Sequence, residues 1–168
     1  MSGDLRDYLS RVEQADRLKL VEGADWNVEI GVLTELFCTP PESTLALFDK
    51  IKGYPPGYRV AANLMSTPRR FALATGLPLE ARGLDLVNAW RAKIGEGFTR
   101  MPPTEVKTGP ITENVHTDVD VDVLEFPAPK WHELDGGRYI GTCDMVVVKD
   151  PDSGWVNFGT YRVQIHDK

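Results

Sequence analysis

Three shortages set the first bounds on this 168-residue chain. It has only two cysteines, Cys38 and Cys143, far apart and outside any CxxC spacing. That excludes a disulfide framework and a cysteine zinc site, and it reads as two buried thiols in a reducing compartment. No run of about 18 apolar residues occurs, so no membrane span is expected. Positive charge is also short: 19 Lys and Arg stand against 25 Asp and Glu, a net charge of −6. A general nucleic-acid binder needs the opposite balance. The opening residues Met1 to Arg6 lack the apolar core of a signal peptide. These shortages point to a cytoplasmic protein with neither nucleic acid nor membrane as partner. What is present is ordinary globular composition, 42% hydrophobic and 26% charged, enough to bury a core without staples.

The apolar pattern sketches the elements. Leu5, Tyr8, Leu9 and Val12 recur at helical spacing and predict an opening helix. A short apolar run, Leu18 to Val21, comes next. Val28 to Phe37 is largely apolar and fits helix or strand, with Pro40-Pro41 as its stop. Leu45 to Phe48 and Tyr58 to Met65 read as two strands around the turn chemistry of Gly53-Tyr54-Pro55-Pro56-Gly57. Thr67-Pro68 reads as a helix start and Gly76 as its end. A helix over about 85–94 should bury Leu86, Val87, Trp90 and Ile94, with Gly95 and Gly97 stopping it. After Met101-Pro102-Pro103 helical patterns give way to extended pieces, 115–123, 141–148 and 155–165, with Asp150 to Gly154 as a hairpin turn.

Several polar groups compete as sites. His116, Asp118, Asp120 and Asp122 would share one face of a strand, where carboxylates could hold a hard cation, although a solvated face is the plainer reading. Arg69-Arg70, at a helix start, could meet phosphate, but two exposed arginines are ordinary. His132 in its polar loop reads as a surface residue. The stretch Gly154 to Lys168 carries more. Asn157 offers a neutral oxygen to a hard cation or amide bonds to a flavin or phosphate. Arg162 offers a planar fork for a carboxylate or phosphate. Five positions separate them, so a flat strand puts them on opposite faces unless a bulge at Gly159 turns one around.

The run "DGGRYIGTCDMVVVKDPDSGWVNFGTYRVQIHDK" resembles the UbiD family of reversible decarboxylases. The pattern is a Gly-Arg/Lys-Tyr-Ile strand, an Asp-Pro-x-Ser/Thr-Gly turn, then Asn-x-Gly-x-Tyr-Arg. Upstream, "ENVHTDVDVDVLEFPAPKWHELDGG" is similar to the family's acidic, proline-containing approach to that strand, and "DLRDYLSRVEQADRLKLVEG" and "LALFDKIKGYPPGYRVAANLM" to its opening. The resemblance implies an α+β chain: an N-terminal α/β domain over 1–104, then over 105–168 the first strands of an FMN-binding split β-barrel. It implies prenylated FMN held with a divalent metal, usually Mn2+, and K+, and decarboxylation of a small aromatic, heteroaromatic or α,β-unsaturated acid. Losing CO2 from an sp2 carbon strands an electron pair, and the modified flavin is the sink for it.

By the family pattern Asn157 is a metal ligand beside the cofactor phosphate. Thr160, Tyr161 and Arg162 line the cofactor, Arg162 also faces the substrate carboxylate, and Thr142 contacts the flavin. The acidic stretch at 116–122 is then the connection into the cofactor domain, not a metal site. The family's remaining metal ligands, its proton-delivering acids and a C-terminal domain used in homo-oligomerisation are not matched here. The chain is therefore read as an N-terminal portion of a carboxy-lyase, inactive alone. The rival readings are a non-catalytic small subunit or degenerate fragment that binds a partner chain, and an ordinary FMN-binding split barrel.

Overall fold

A computed structural model describes residues 3–39, 43–95 and 104–167. In chain order the elements are α1 (Leu5–Ala15), β1 (Leu18–Glu22), α2 (Glu29–Phe37), β2 (Leu45–Asp49), β3 (Val60–Ala62), α3 (Pro68–Thr75), α4 (Gly83–Ile94), three 3-10 turns, β4 (Arg138–Lys149) and β5 (Val156–Ile165). The fold is α+β. It divides into two compact units that interleave along the sequence: Met1–Leu18 with Leu64–Val121, and Lys19–Asn63 with Asp122–Lys168. Pro40-Pro41, Gly97 and Met101-Pro102-Pro103, which the sequence marks as breakers, lie outside the described residues.

The first unit is helical. Asp4 caps α1 by accepting from the Asp7 amide, and Tyr8, Leu9 and Val12 are its buried face. Thr67 caps α3 from the expected position, Pro68 opens it, and Gly76 ends it in the left-handed region at φ 68°. The arginine pair departs from expectation. Arg70 is fully buried rather than exposed. It meets Asp16 at 3.4 Å and the Ser66 hydroxyl at 2.7 Å. Arg69 donates to the Ala15 carbonyl at 2.8 Å and pairs with Glu80 at 3.0 Å. The pair fastens α3 to the end of α1, so its fork is spent on the fold. The expected buried face of α4 also fails: none of its residues is buried, and Val87 and Ile94 are exposed. Trp90 meets Phe71 edge-on, 5.6 Å between centroids. Within this unit α4 rests on α3 along one edge, narrower than its apolar stripe.

The expected strand over 115–123 is absent. Asp118–Asp120 and Val123–Glu125 are 3-10 turns, and Asp118 has φ 52°. Alternation therefore does not put the three aspartates on one face. His116 turns its Nδ1 to the Asp120 carbonyl and Asp122 caps Leu124. Among the described residues no group of three His, Cys, Asp or Glu side chains could hold a metal ion.

The second unit is built on a small sheet of order β1-β2-β3, β2 and β3 antiparallel with Leu47 opposite Ala61. The strand β3 runs only from Val60 to Ala62, shorter than the apolar pattern indicates. Ala46, Phe48 and Ala62 join Ala24, Ile30 and Ile51 in the core, with Trp26, Tyr54 and Trp131 packed at its margin. α2 resolves the ambiguity of Val28 to Phe37 in favour of helix. Both cysteines are exposed rather than buried. Cys38 caps the end of α2 and Cys143 lies in a strand that has one neighbour.

Residues 128–131 run against the start of α2. Lys130 donates its amide to the Trp26 carbonyl at 3.0 Å, and its carbonyl accepts from the Val28 amide at 2.8 Å. Val28 pays with strain: φ 70°, ψ −38°, and a Glu29 amide bonded to the Asn27 carbonyl at 2.9 Å, the rare γ-turn that a β-branched residue seldom adopts. It persists because neighbours over-determine it. Asp25 accepts from the Asn27 amide, Glu29 accepts from the Asp25 amide, and Lys52 pairs with Asp25 at 3.0 Å. Gly31, in the first turn of α2, is what lets the chain come so close. A Cβ there would stand 1.8 Å from the Trp131 carbonyl oxygen. Gly31→Ala in an open helix would stabilise by about 1 kcal/mol. Here we predict the reverse sign, a loss of about 2 kcal/mol or more from overpacking. Urea unfolding of the variant checks it; a stabilised variant would contradict the close approach.

Candidate functional site

The residues singled out at the end of the sequence fall on one hairpin. β4 and β5 pair antiparallel from Arg138 opposite Ile165 to Lys149 opposite Val156. The turn is organised by Asp150, whose carboxylate accepts from the amides of Asp152 and Ser153, both at 2.8 Å. Gly154 takes φ 72° and donates to the Asp150 carbonyl. Backbone bonds from Ser153 and then Asp152, joined by the Ser153 hydroxyl, lower the Asp150 pKa below its ordinary 3.8.

No bulge occurs at Gly159, which pairs in register with Val146. The irregularities lie on β4. Between Gly141 opposite Val163 and Asp144 opposite Tyr161, Thr142 and Cys143 stand against the single residue Arg162, and another extra residue falls at Ile140. Along β5 the alternation is unbroken. Asn157 and Tyr161 share one face with Val146, Val148 and Asp144; Thr160 and Arg162 share the other with Met145, Val147 and Phe158. The structure thus brings Thr142, Thr160 and Arg162 together around the β4 bulge. It leaves Asn157 and Tyr161 on the opposite face.

Asn157 is half-buried, while Thr142, Thr160, Tyr161 and Arg162 are exposed. Among the described residues, no hydrogen bond engages the side chains of Thr142, Asn157, Thr160 or Arg162. Their donor and acceptor capacity is uncommitted. The chemistry of this set suits the group that the family pattern implies: an amide oxygen for a hard cation, hydroxyls and a guanidinium for phosphate or carboxylate, and Met145, Val147 and Phe158 for a flat ring. Phe158 is 70% exposed and Met145 68%, so the surface available to such a ring is open.

Two residues matter here that the sequence offers only as part of a motif. Asp144 lies over Gly141, where a Cβ would stand 1.9 Å from its carboxylate, and its Oδ2 is buried without a hydrogen-bond partner. Arg138, the first residue of β4, is stacked on Trp26 at 4.0 Å from the ring centroid. Periodicity carries no sign of either role. His132, by contrast, is exposed as expected, 3.6 Å from Glu35.

Comparison with known proteins agrees with the fold. Residues 9–90 match the 3-octaprenyl-4-hydroxybenzoate carboxy-lyase N-terminal domain, and residues 104–168 match the Rift-related domain of the same enzyme type. The chain belongs to the UbiD family. It is 33% identical to a pyrrole-2-carboxylic acid decarboxylase of Pseudomonas aeruginosa over 96% of its own length and 33% of that protein's. It is 32% identical to a phenolic acid decarboxylase of Sedimentibacter hydroxybenzoicus, covering 98% of this chain and 35% of the relative. The solved vanillic acid decarboxylase of S. hydroxybenzoicus in closed form superposes with a TM-score of 0.87 at 30% identity, over 99% of this chain and 36% of that one. The UbiD-family chain thus spans about a third of the length of the curated relatives it matches. No helix among the described residues is long and apolar enough to cross a membrane.

The Asp150 turn gives a prediction with a definite sign. A carboxyl whose pKa is lowered on folding contributes stability that is present above its unfolded value, near 3.8, and lost as pH falls through the lower folded value. Amide exchange of Gly154 should be unchanged from pH 7 to 5 after correction for intrinsic rate. Its protection should fall below pH 4 or so, and in Asp150→Ala, which removes the acceptor of both turn amides, it should be low throughout. Protection that persists to pH 2 would contradict the turn.

Proposed function

We propose that this chain supplies part of the cofactor site of a carboxy-lyase acting on a small aromatic, heteroaromatic or α,β-unsaturated carboxylic acid. The observation that carries the reading is the bulged hairpin, with Thr142 opposite Arg162 and uncommitted polar groups on both faces, in a chain whose relatives are named decarboxylases. In sequence we assign 1–104 to an N-terminal domain and 105–168 to the opening of a split-barrel domain that holds prenylated FMN, Mn2+ and K+. Prenylated FMN, when bound, would supply an electron sink for the pair left on carbon as CO2 departs.

The chain's own residues have simpler tasks. Arg162 binds and orients an anion, the substrate carboxylate or the cofactor phosphate, through its planar fork. Thr142 and Thr160 add hydroxyl donors on the same side. Asn157 would contribute a neutral oxygen to the divalent cation from the other face, where the Tyr161 ring lies against Gly159. Because one regular strand cannot turn Asn157 and Arg162 to the same side, a cation held by Asn157 and a carboxylate held by Arg162 would stand on opposite faces of β5. The rest of the coordination, the acid that delivers the proton and the contacts that make a homo-oligomer are assigned to parts of the complete enzyme outside this sequence.

A second reading is a non-catalytic module that completes a partner chain. The exposed Met145, Val147, Trp155 and Phe158 favour it, since a bare apolar hairpin calls for a cover. Two substitutions separate the readings. In the complete enzyme Arg162→Ala should lower kcat/KM at least about 1,000-fold, roughly 4 kcal/mol of transition-state binding, with the melting temperature little changed. Asn157→Ala should release metal and flavin together on gel filtration, read by metal analysis and flavin absorbance. Near-normal turnover in the first variant, or a second variant that keeps both groups, would overturn the decarboxylase assignment of these residues.

A further inference from the structure

The hairpin that carries these residues is tied into its unit at one end, and the tie is chemically specific. Arg138 opens β4. Its guanidinium lies on the Trp26 ring at 4.0 Å and beside the Tyr54 ring at 5.7 Å. Its Nε donates to the Ala128 carbonyl at 2.6 Å, and Nη2 donates to the Tyr54 hydroxyl and the Phe126 carbonyl. The Tyr54 hydroxyl in turn donates to the Leu124 carbonyl at 3.1 Å. One planar cation thus joins the loop before α2, the turn after β2, the segment 124–128 and the first residue of β4. Next to it the Tyr139 amide donates to the Pro129 carbonyl, and the Tyr139 hydroxyl reaches Gln164 on β5 at 3.0 Å. Toward its turn the hairpin carries exposed side chains on both faces.

We propose that Arg138 is a positioning residue: by stacking on Trp26 and donating to Tyr54, it sets the angle at which the β4-β5 hairpin projects from the rest of its unit, and so where Thr142 and Arg162 stand. It acts through the backbone of β4, with the bulge at Thr142–Cys143 only four residues further along. A lysine could keep the charge and reach one carbonyl, but it could not stack as a plane or fork between Ala128 and Tyr54. The functional half of the inference rests on the reading of the hairpin as a flavin site; the positional half does not.

The test uses the purified protein, with Arg138→Lys and Arg138→Met, in two independent measurements. Hydrogen exchange is the first. Protection of β5 amides should fall about tenfold or more in Arg138→Met and less in Arg138→Lys, while β2 and β3 amides keep theirs. Titration with FMN is the second: affinity should drop about tenfold in Arg138→Met, with partial rescue in Arg138→Lys. Unchanged exchange in β5 overturns the positioning role, as does a loss spread evenly over β2, β3 and β5, because Arg138 would then be a general stabiliser. Wild-type protein that shows the exchange pattern but no FMN binding supports the positioning role and removes the flavin reading instead. FMN binding in wild type that survives unaltered in Arg138→Met overturns the link between the two.

Discussion

Main-chain contact between residues 128–131 and the start of α2 is the constraint on which the second unit depends. The Lys130 amide and carbonyl bond to Trp26 and Val28, and the Trp131 carbonyl sits where a side chain at position 31 would be. Backbone groups set that distance, so only Gly31 can meet it. The same contact forces Val28 into a γ-turn at φ 70°, a cost of order 1–3 kcal/mol. Such a cost is tolerated where something else needs the geometry. A few residues beyond Trp131 the chain enters the Arg138 clamp and then the hairpin, so the strained turn lies at the root of the element that carries the candidate site.

Energetically the two units rest on different devices. The second has an apolar core in which Phe48, Ile30 and Ile51 are essentially inaccessible, and burial of such side chains contributes roughly 1.5–3 kcal/mol each. The first has a short apolar face on α1 and a buried cation. Arg70 is desolvated, and its pairing with Asp16 and Ser66 offsets that cost more than it adds net stability. Its value is specificity of docking: a planar donor that must find Asp16 and Ser66 fixes how α3 lies on α1. Arg138 uses the same chemistry in the second unit, with aromatic faces in place of a carboxylate. In both places arginine's rigid fork joins segments distant in sequence, which lysine could not do with one point of charge.

Local chemistry was legible in the sequence; distances were not. Caps and turns came through because the residue itself carries the cause: Thr67, Pro68, Gly76 and Asp150 each act on backbone within a few positions. Alternation alone misled at 116–122, since valine and aspartate alternate there in 3-10 turns rather than in a strand. Helical period misled at α4, because a stripe shows which side is apolar and says nothing of how much is covered. The burial of Arg70 and the exposure of Cys38 and Cys143 depend on tertiary partners that no window of sequence contains. At the candidate site the motif residues were visible by type and spacing. The bulge that groups three of them was not, because it is a two-against-one count between strands and belongs to neither strand alone.

That count decides how the site can work. A bulge at Gly159 would have re-aimed Asn157 or Arg162 and let one strand face gather cation and carboxylate together. With the irregularity on β4, β5 keeps strict alternation and the two stay on opposite faces. A ligand contacting both must therefore pass the edge of β5 or span it, while Thr142, Thr160 and Arg162 converge without any such demand. The converging set holds hydroxyls and a fork, which suits an anion; the separated residue is an amide, which suits a cation. Under the proposed reading, a cation at Asn157 and an anion at Arg162 would stand on opposite faces of β5, so the fork would not compete for the cation's ligands. The separation of Asn157 from Arg162 thus follows from the unbroken alternation of β5, and the grouping of Thr142 with Arg162 from the bulge on β4.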